Sequence, residues 1–212
     1  MNNKDSKTIA IIIAHPDDET LWAGGTILNH PDWHCFILSL CRASDKNRAP
    51  KFYNALKILE ADGNMADLDD GPEQNPLDFH MVTSAILELL PPIRYDLIIS
   101  HDPNGEYTRH LRHEEVGQAV IRLWSSGKIS AKELWTFAYE DGGKKYLPKP
   151  IENAAIYHKL SQPVWEKKYN LITGTYGFDK DSFEALTSPR AESFRQFTNY
   201  NDALHRLPNN YK

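Results

Sequence analysis

The sequence contains only two cysteines, and this shortage excludes a fold that depends on disulfide bonds. Cys35 and Cys41 lie in one apolar stretch that is typical of a strand. At about 3.3 Å per residue their Cα atoms would lie roughly 20 Å apart, which is too far for a disulfide bond. We therefore expect both thiols to be free, in the reducing environment of a cytoplasm.

The sequence also lacks a long apolar run and an excess of positive charge. Its longest fully apolar run, residues 9–14, is far shorter than the roughly 20 residues that a helix needs to cross a bilayer. No small-residue cleavage site follows that run, so nothing indicates export. There are 24 lysines and arginines against 29 acidic residues, which gives a net charge of -5 and no basic surface for nucleic acid. We expect a cytoplasmic protein with no membrane span and no nucleic-acid partner.

Two common catalytic motifs are absent as well. No dinucleotide fingerprint or Walker pattern surrounds Gly24 and Gly25, so these glycines more plausibly serve close helix packing than phosphate binding. No serine stands in a Gly-x-Ser-x-Gly turn, which argues against a serine hydrolase.

What the sequence does contain is typical of a globular α/β protein: 41% of its residues are hydrophobic and 25% are charged. Short runs rich in branched residues predict buried parallel strands, and helical patterns lie between them. This alternation predicts a layered, mostly parallel sheet with crossover helices. The predicted strands are residues 9–14, 35–40, 97–99 and 133–139, and the predicted helices are residues 20–28, 51–61, 84–90 and 110–124.

The remaining segments have weaker patterns. Residues 63–76 read as an acidic, turn-rich loop, and helices are predicted at residues 164–173, 181–186 and 189–200. We expect one domain over residues 1–212. Its last third, about residues 142–212, either covers one end of the sheet or forms a subunit contact in a homo-oligomer.

Two polar clusters follow predicted strands at what should be the same edge of the sheet. His15 and the three acidic residues at 17–19 come directly after the first strand, and the segment after residues 97–99 leads to His110 and His113. Reactive groups of open α/β sheets collect at the carboxyl ends of the strands. His113 also belongs to the apolar stripe of its helix, so it should point inward. A lone inward histidine is usually a core residue, but a second polar cluster at the same edge favours a shared site.

The residues His15, Asp17 and Asp18 allow three interpretations. The two aspartates can start a turn and cap the next helix. They can also hold magnesium for a glycosyl or phosphoryl transferase. In the third interpretation His15, Asp18 and His113 are three ligands of a catalytic zinc site with one open position. Neighbouring side chains diverge, so Asp17 would then be the general base toward the zinc-bound water, and a cationic His110 would stabilise the oxyanion.

The run Ala-His-Pro-Asp-Asp-Glu at residues 14–19 resembles the signature of the PIG-L / LmbE-like zinc-dependent deacetylases. The His-x-x-His segment at residues 110–113, followed by Glu-Glu-Val-Gly-Gln-Ala-Val, is similar to the family's second motif. This resemblance implies a Rossmann-like three-layer α/β fold and hydrolysis of an N-acyl group, usually acetyl, from an amino sugar such as an N-acetylglucosamine derivative. It also implies the same roles: zinc ligands at positions 15, 18 and 113, the base at 17 and the oxyanion partner at 110.

A weaker similarity concerns residues near the substrate. Arg48 resembles an arginine that the family uses there, and Arg42 is a candidate for the same role. Many members carry an aspartate where this chain has Arg112; we therefore expect Asp102 at the substrate site as an alternative partner of His110. The stretch 104–109 differs from the short glycine-rich segment that leads to this motif in the family. We expect this difference to affect substrate choice.

The sequence leaves alternatives open for the identity of the metal and for the function. Iron suits histidine and carboxylate ligands as well as zinc does. A magnesium-dependent transferase that uses Asp17 and Asp18 is one rival, and a non-catalytic sugar- or metabolite-binding module is another. The expected partner in the leading interpretation is a small N-acylated amino sugar or conjugate.

Overall fold

Strands and helices alternate through the first two thirds of the chain, as the pattern predicts. The structure is a computed structural model that describes residues 6–107 and 110–208. Each predicted strand and helix of this region lies at an observed one, and the ends differ by a few residues. The observed elements are β1 (Thr8–Ile13), α1 (Asp18–Asn29), β2 (His34–Cys41), α2 (Arg48–Leu59), β3 (Asp62–Leu68), α3 (Phe79–Leu89), β4 (Arg94–Ser100), α4 (Leu111–Ser125) and β5 (Ser130–Phe137).

The sheet reverses its strand order at one point, which lies between β1 and β4. It has seven strands in the order β3-β2-β1-β4-β5-β9-β8, and β1 to β5 are parallel to one another. Chains leaving β1 and β4 go to opposite faces, so a crevice opens above the carboxyl ends of these two strands. The two polar clusters of the sequence follow these two strands.

Alternate residues of β1 face two separate cores. Ile9, Ile11 and Ile13 pack into a cluster with α1 and α2, whereas Ala10 and Ile12 pack into a cluster with α3 and α4. All five are completely buried. The sheet therefore has helices on both faces, and the predicted three-layer, mostly parallel α/β architecture is confirmed.

The last third extends the sheet with antiparallel strands. β9 pairs with β5 on one side and with β8 on the other. A separate two-stranded ribbon is formed by β6 and β7. The elements of this region are β6 (Tyr139–Glu140), β7 (Lys149–Pro150), β8 (Ile156–Lys159), α5 (Gln162–Asn170), a π-helical turn (Leu171–Thr175), α6 (Phe183–Thr187), β9 (Ala191–Phe197) and α7 (Tyr200–His205).

Two local predictions were wrong. Residues 189–200 were predicted to be a helix, but most of them form the strand β9. The prediction failed because Ala191, Phe194 and Phe197 are spaced by three, as in the apolar stripe of a helix, and because the largely buried strand shows no alternation of buried and exposed residues. Residues 63–76 are not all loop, because β3 occupies their first part. β3 is an edge strand that pairs only with β2 and is half-exposed, so its sequence lacks the apolar run of a central strand. Within residues 6–107 and 110–208, no helix is long and apolar enough to cross a membrane.

Candidate metal centre

The turn after β1 is strained and directs its carboxylates into the crevice. Asp17 has a φ of 124°, a conformation that is costly for a residue with a side chain. Its backbone N–H donates to Glu19 at 3.0 Å, and its carbonyl accepts from the backbone N–H of Leu21 at 2.8 Å as α1 begins. The Asp17 side chain makes no capping hydrogen bond, so helix capping does not explain this carboxylate.

Both oxygens of Asp18 are held by the protein, and one of them also faces the crevice. Its Oδ1 accepts from the indole N–H of Trp22 at 3.0 Å, and its Oδ2 accepts from the backbone N–H of His15 at 2.8 Å. Oδ2 also lies near the ring nitrogens of His15 and His113. The carboxylate is therefore oriented to offer one oxygen to a bound ion.

α4 brings His113 to the same point from the other side. The helix packs directly against the loop after β4, since a Cβ at Gly117 would lie 2.6 Å from the carbonyl oxygen of His101. His113 is buried in the first turn, and its Nδ1–H donates to Glu106 at 2.7 Å. This bond fixes the ring, so that the lone pair of Nε2 points toward Asp18. The side chain of His113 therefore points inward, as the helical stripe predicted.

Three potential ligand atoms form a nearly equilateral triangle, which we call the ligand triangle. His15 Nδ1 lies 3.2 Å from Asp18 Oδ2 and 3.2 Å from His113 Nε2, and the latter two atoms are 3.4 Å apart. A tetrahedral zinc ion with bonds of about 2.0–2.1 Å separates its ligands by about 3.3–3.4 Å. The triangle therefore fits three ligands of such an ion, with the fourth position facing the cavity.

The protonation of His15 fits the same arrangement. Burial alone would lower the pKa of His15, but Asp18 and Asp70 raise it to about 10. In the metal-free protein the ring therefore carries a proton on Nδ1, inside the ligand triangle. A cation that binds there has to displace this proton.

His101, which sequence reasoning did not select, lies beside the triangle. Its ring stacks on His113 with centroids 4.0 Å apart. Asp18, His101 and His113 form one group of side chains that could hold an ion, and His15, His110 and His113 form another. Burial would lower the pKa of His101, whereas Glu106 and Asp18 raise it to about 9. However, its Nε2 accepts the backbone N–H of Ala14 at 2.9 Å, which leaves no lone pair for an ion and favours the neutral ring. His101 therefore supports the site rather than binding the metal.

Glu106 joins the two histidines and was also missed. Its Oε2 accepts from His113 at 2.7 Å and from His101 at 3.1 Å, and its Oε1 accepts from the backbone N–H of Asp102. Burial raises the pKa of Glu106, but the two histidines lower it to about 2, so the carboxylate stays ionised. The available signal was an acidic residue within the stretch 104–109, just before the histidine motif.

His110 lies next to the ligand triangle, in surroundings that disfavour its charged form. Its ring centroid is 4.6 Å from that of His15 and 4.3 Å from that of His113, and its buried Nδ1 has no hydrogen-bond partner within residues 6–107 and 110–208. Burial, together with the nearby His113 and His15, lowers the pKa of His110 to about 3. The cationic His110 expected from the sequence does not fit these surroundings; a neutral ring can still donate from Nδ1.

The triangle forms the floor of a cavity of about 200 Å³. Asp17 lies beside it, and both burial and Asp18 hold the pKa of the Asp17 carboxyl well above its usual range. Arg42 and Arg48, the two predicted substrate residues, both line the cavity. Arg48 opens α2 with its guanidinium 4.3 Å from the ring centroid of Phe178, whereas Arg42 has a φ of 72°. The cavity is further lined by Trp22, Tyr107, Phe183, Glu184 and Asp70.

Asp102 does not line this cavity. Its buried carboxylate accepts two hydrogen bonds from Arg206 at 3.1 Å each and pairs with Arg195 at 3.0 Å. These arginines belong to the last third of the chain. The expectation that Asp102 supports His110 at the substrate site therefore needs correction: Asp102 ties the loop after β4 to the C-terminal strands and helix.

Known proteins share this fold. N,N'-diacetylchitobiose deacetylase from Pyrococcus horikoshii is 16% identical and superposes with a TM-score of 0.67 over 92% of this chain and 85% of its own. GalB, the 4-carboxy-2-hydroxymuconate hydratase of Pseudomonas putida KT2440, is 17% identical with a TM-score of 0.58, over 85% of this chain and 83% of its own. At such identities the likeness shows the fold alone.

Sequence comparison gives the family. An uncharacterised protein of Acanthamoeba polyphaga mimivirus, L374, is 22% identical over 76% of this chain and 75% of its own length. The family model of PIG-L, described as GlcNAc-PI de-N-acetylase, matches residues 10–124, more than half of the chain. The matched region runs from β1 to α4 and contains every residue of the ligand triangle. This chain is therefore a member of the PIG-L (GlcNAc-PI de-N-acetylase) family.

Proposed function

We propose that this protein is a zinc-dependent hydrolase that removes an N-acetyl group from an amino sugar, such as a derivative of N-acetylglucosamine. The observation that carries the proposal is the ligand triangle, whose edges of 3.2, 3.2 and 3.4 Å match a tetrahedral zinc site at the floor of a cavity. Two of its three atoms are imidazole nitrogens, which suit zinc or iron and not magnesium. The magnesium-dependent transferase is therefore disfavoured.

His15, Asp18 and His113 would hold the ion. When bound, zinc supplies a Lewis acid that polarises the amide carbonyl and acidifies a water molecule. The protein's part is to keep these three side chains oriented, through Trp22 on Asp18 and Glu106 on His113.

Asp17 is the proton carrier of the proposed reaction. It takes a proton from water as the new C–O bond forms at the acetyl carbon, and it returns that proton to the nitrogen as the C–N bond breaks. The products are acetate and a free amine. A carboxyl group with a raised pKa suits this exchange, because it accepts and releases a proton more readily near neutral pH.

His110 and the cavity walls bind the substrate. In the tautomer that carries its proton on Nδ1, the neutral His110 donates to the oxygen on which negative charge develops. Tyr107 and Phe183, whose ring centroids are 5.2 Å apart, give the cavity an apolar wall for the carbon face of a sugar ring. Arg42 and Arg48 offer guanidinium donors to its polar substituents.

The substitution Asp17→Asn tests this assignment. Acetate release from N-acetylated amino sugars by the zinc-loaded protein should fall about 10²- to 10⁴-fold. Bound zinc, measured by elemental analysis, should stay at the wild-type level because Asp17 is not in the ligand triangle. Retained turnover in the variant would contradict the role of Asp17. A wild-type protein that binds zinc and its sugar but releases no acetate would instead favour a non-catalytic binding module.

A further inference from the structure

We propose that Asp70 is a positioning residue that orients His15 in the ligand triangle, and that Arg112 holds Asp70 in place by fixing the backbone of residues 69–75. This inference rests on the proposed function, because it assigns a role toward the metal that His15 would bind.

Asp70 contacts the one nitrogen of His15 that the ligand triangle does not use. Its Oδ1 lies 3.1 Å from His15 Nε2, a buried atom that has no hydrogen-bond partner among the described residues. The two atoms are close enough for an ion pair, but their alignment is not that of a hydrogen bond. The Asp70 side chain is only 8% exposed, so this carboxylate is part of the buried site and not a solvated surface group.

The rest of the Asp70 carboxylate is tightly held. Oδ2 accepts from Arg42 Nε at 2.9 Å and from its Nη2 at 2.6 Å, and Oδ1 accepts from the side-chain amide of Gln74 at 3.0 Å. A carboxylate fixed in this way can in turn fix the imidazole beside it.

Metal-bound histidines usually donate their second N–H to a carboxylate or a carbonyl, which sets the tautomer and the ring orientation. For His113 that acceptor is Glu106, at 2.7 Å. His15 uses the opposite nitrogen toward the triangle, and the only carboxylate near its Nε2 among the described residues is Asp70. Each imidazole of the triangle thus has a carboxylate of its own.

Arg112 explains why Asp70 lies there. The Arg112 side chain is almost completely buried, and its guanidinium donates to the carbonyl oxygens of Asp69 and Asn75, the latter at 2.7 Å. It also pairs with Glu115, which accepts the backbone N–H of Leu77 at 2.8 Å. The segment that carries Asp70 is therefore attached to the first turns of α4.

Because α4 also carries His113, this one helix helps to position two of the three potential ligands, His113 and His15. It supplies His113 directly, and through Arg112 it positions the carboxylate that orients His15. Arg112 thus has a structural role in this chain: its guanidinium donors are satisfied by the backbone of residues 69–75 and by Glu115.

The test measures metal binding, not activity. We expect Asp70→Ala to weaken zinc binding about 10- to 100-fold, measured by competition with a chromophoric chelator. Asp70→Asn should fall between wild type and Asp70→Ala, because the amide oxygen still accepts a hydrogen bond. The visible absorption bands of the Co²⁺-loaded protein should change in position or intensity in Asp70→Ala, since the ring of His15 is no longer held.

Arg112→Met should also weaken zinc binding.

Two matched variants separate orientation from charge. Glu73→Gln removes a charge from an exposed side chain of the same segment, and Glu184→Gln removes one from the wall of the cavity; each should change zinc affinity less than threefold. Thermal unfolding of the metal-free variants shows whether they are folded.

An Asp70→Ala protein with wild-type zinc affinity and an unchanged Co²⁺ spectrum would overturn the role of Asp70. A folded Arg112→Met protein with wild-type zinc affinity would overturn the role of Arg112. Both results leave the proposed hydrolase intact if the wild-type chain binds zinc and releases acetate. A wild-type chain that binds no divalent cation would overturn the inference and the proposed function together.

Discussion

Two buried carboxylates that contact α1 are surrounded by similar numbers of polar groups but are used differently: Asp18 belongs to the first turn of α1, whereas Glu192 belongs to β9 and contacts Gly25 and Thr26 of α1. Glu192 is completely buried and accepts the backbone N–H groups of Gly25 and Thr26 at 2.7 and 2.6 Å, the Thr26 hydroxyl at 2.6 Å and the ammonium of Lys168 at 2.7 Å. Each of its oxygens therefore has two donors, all supplied by the protein.

Asp18 differs in what lies around its second oxygen. Oδ1 accepts from Trp22 at 3.0 Å, whereas Oδ2, besides accepting the backbone N–H of His15 at 2.8 Å, also lies 3.2 and 3.4 Å from the ring nitrogens of His15 and His113, which converge on it beside the cavity. Nearby, Nδ1 of His110 is buried and has no hydrogen-bond partner in the part of the chain that the structure describes. A saturated cluster fixes the fold, whereas a cluster of converging ligand atoms beside a cavity is suited to hold something that is not part of the chain.

The largest effect that would test this contrast is expected at Lys168. Replacing it by methionine leaves Glu192 as a buried charge without a cation, so Lys168→Met should lower the free energy of unfolding by about 3–5 kcal/mol. Urea denaturation of the metal-free protein measures this loss. Zinc affinity of the folded fraction should change less than threefold, because the ligand triangle keeps all its groups.

A double variant serves as the control. Lys168→Met combined with Glu192→Gln removes both charges and should recover much of the lost stability, since no uncompensated ion remains in the interior. If the single variant is as stable as wild type, or if it loses zinc as Asp18 variants should, the two clusters do not have the separate roles assigned to them.

A smaller effect is expected at Glu106. Glu106→Gln keeps the shape of the side chain but removes the charge that orients His113, and it should weaken zinc binding about 10- to 100-fold. Titration with zinc against a competing chelator gives the affinity. The exposed Glu73→Gln variant serves as a control for a general loss of negative charge, and an equal effect in both variants would contradict the special position of Glu106.

The remaining effect concerns pH. Asp18 and Asp70, acting against burial, raise the pKa of His15 to about 10 in the metal-free protein, so the ring is protonated at neutral pH. The cation must displace this proton, and zinc affinity should therefore rise with pH, about tenfold per unit between pH 6 and 8. Chelator-buffered zinc titrations over this range measure the slope. A flat profile would mean that His15 is neutral at pH 6, and that Asp18 and Asp70 do not act on it as inferred.

Much of the site was accessible from the sequence because it lies in two short local motifs. The order of residues within 14–19 and 110–113 is enough to predict His15, Asp17, Asp18, His110 and His113, and the structure brings them together. Neighbouring positions in a turn or a helix fix the relative directions of side chains, so local spacing carries this information.

The supporting residues were not predictable in the same way. Glu106, His101 and Asp70 act through contacts that join separate loops, and no spacing along the chain reveals which loop ends meet. Asp102 was misplaced for the same reason, since its partners Arg195 and Arg206 lie about ninety or more positions away along the chain. In the fold, β3 and β9 were missed because neither has the continuous apolar run by which the central strands were predicted: β3 is a half-exposed edge strand, and β9 carries several polar residues between its apolar ones.

The most direct test of the account is a crystal structure of the zinc-loaded protein with anomalous diffraction recorded on both sides of the zinc absorption edge. We predict one strong anomalous peak about 2.0–2.2 Å from His15 Nδ1, Asp18 Oδ2 and His113 Nε2, with its fourth position open to the cavity. A peak bound instead by His101, or no peak near these three atoms, would contradict the account.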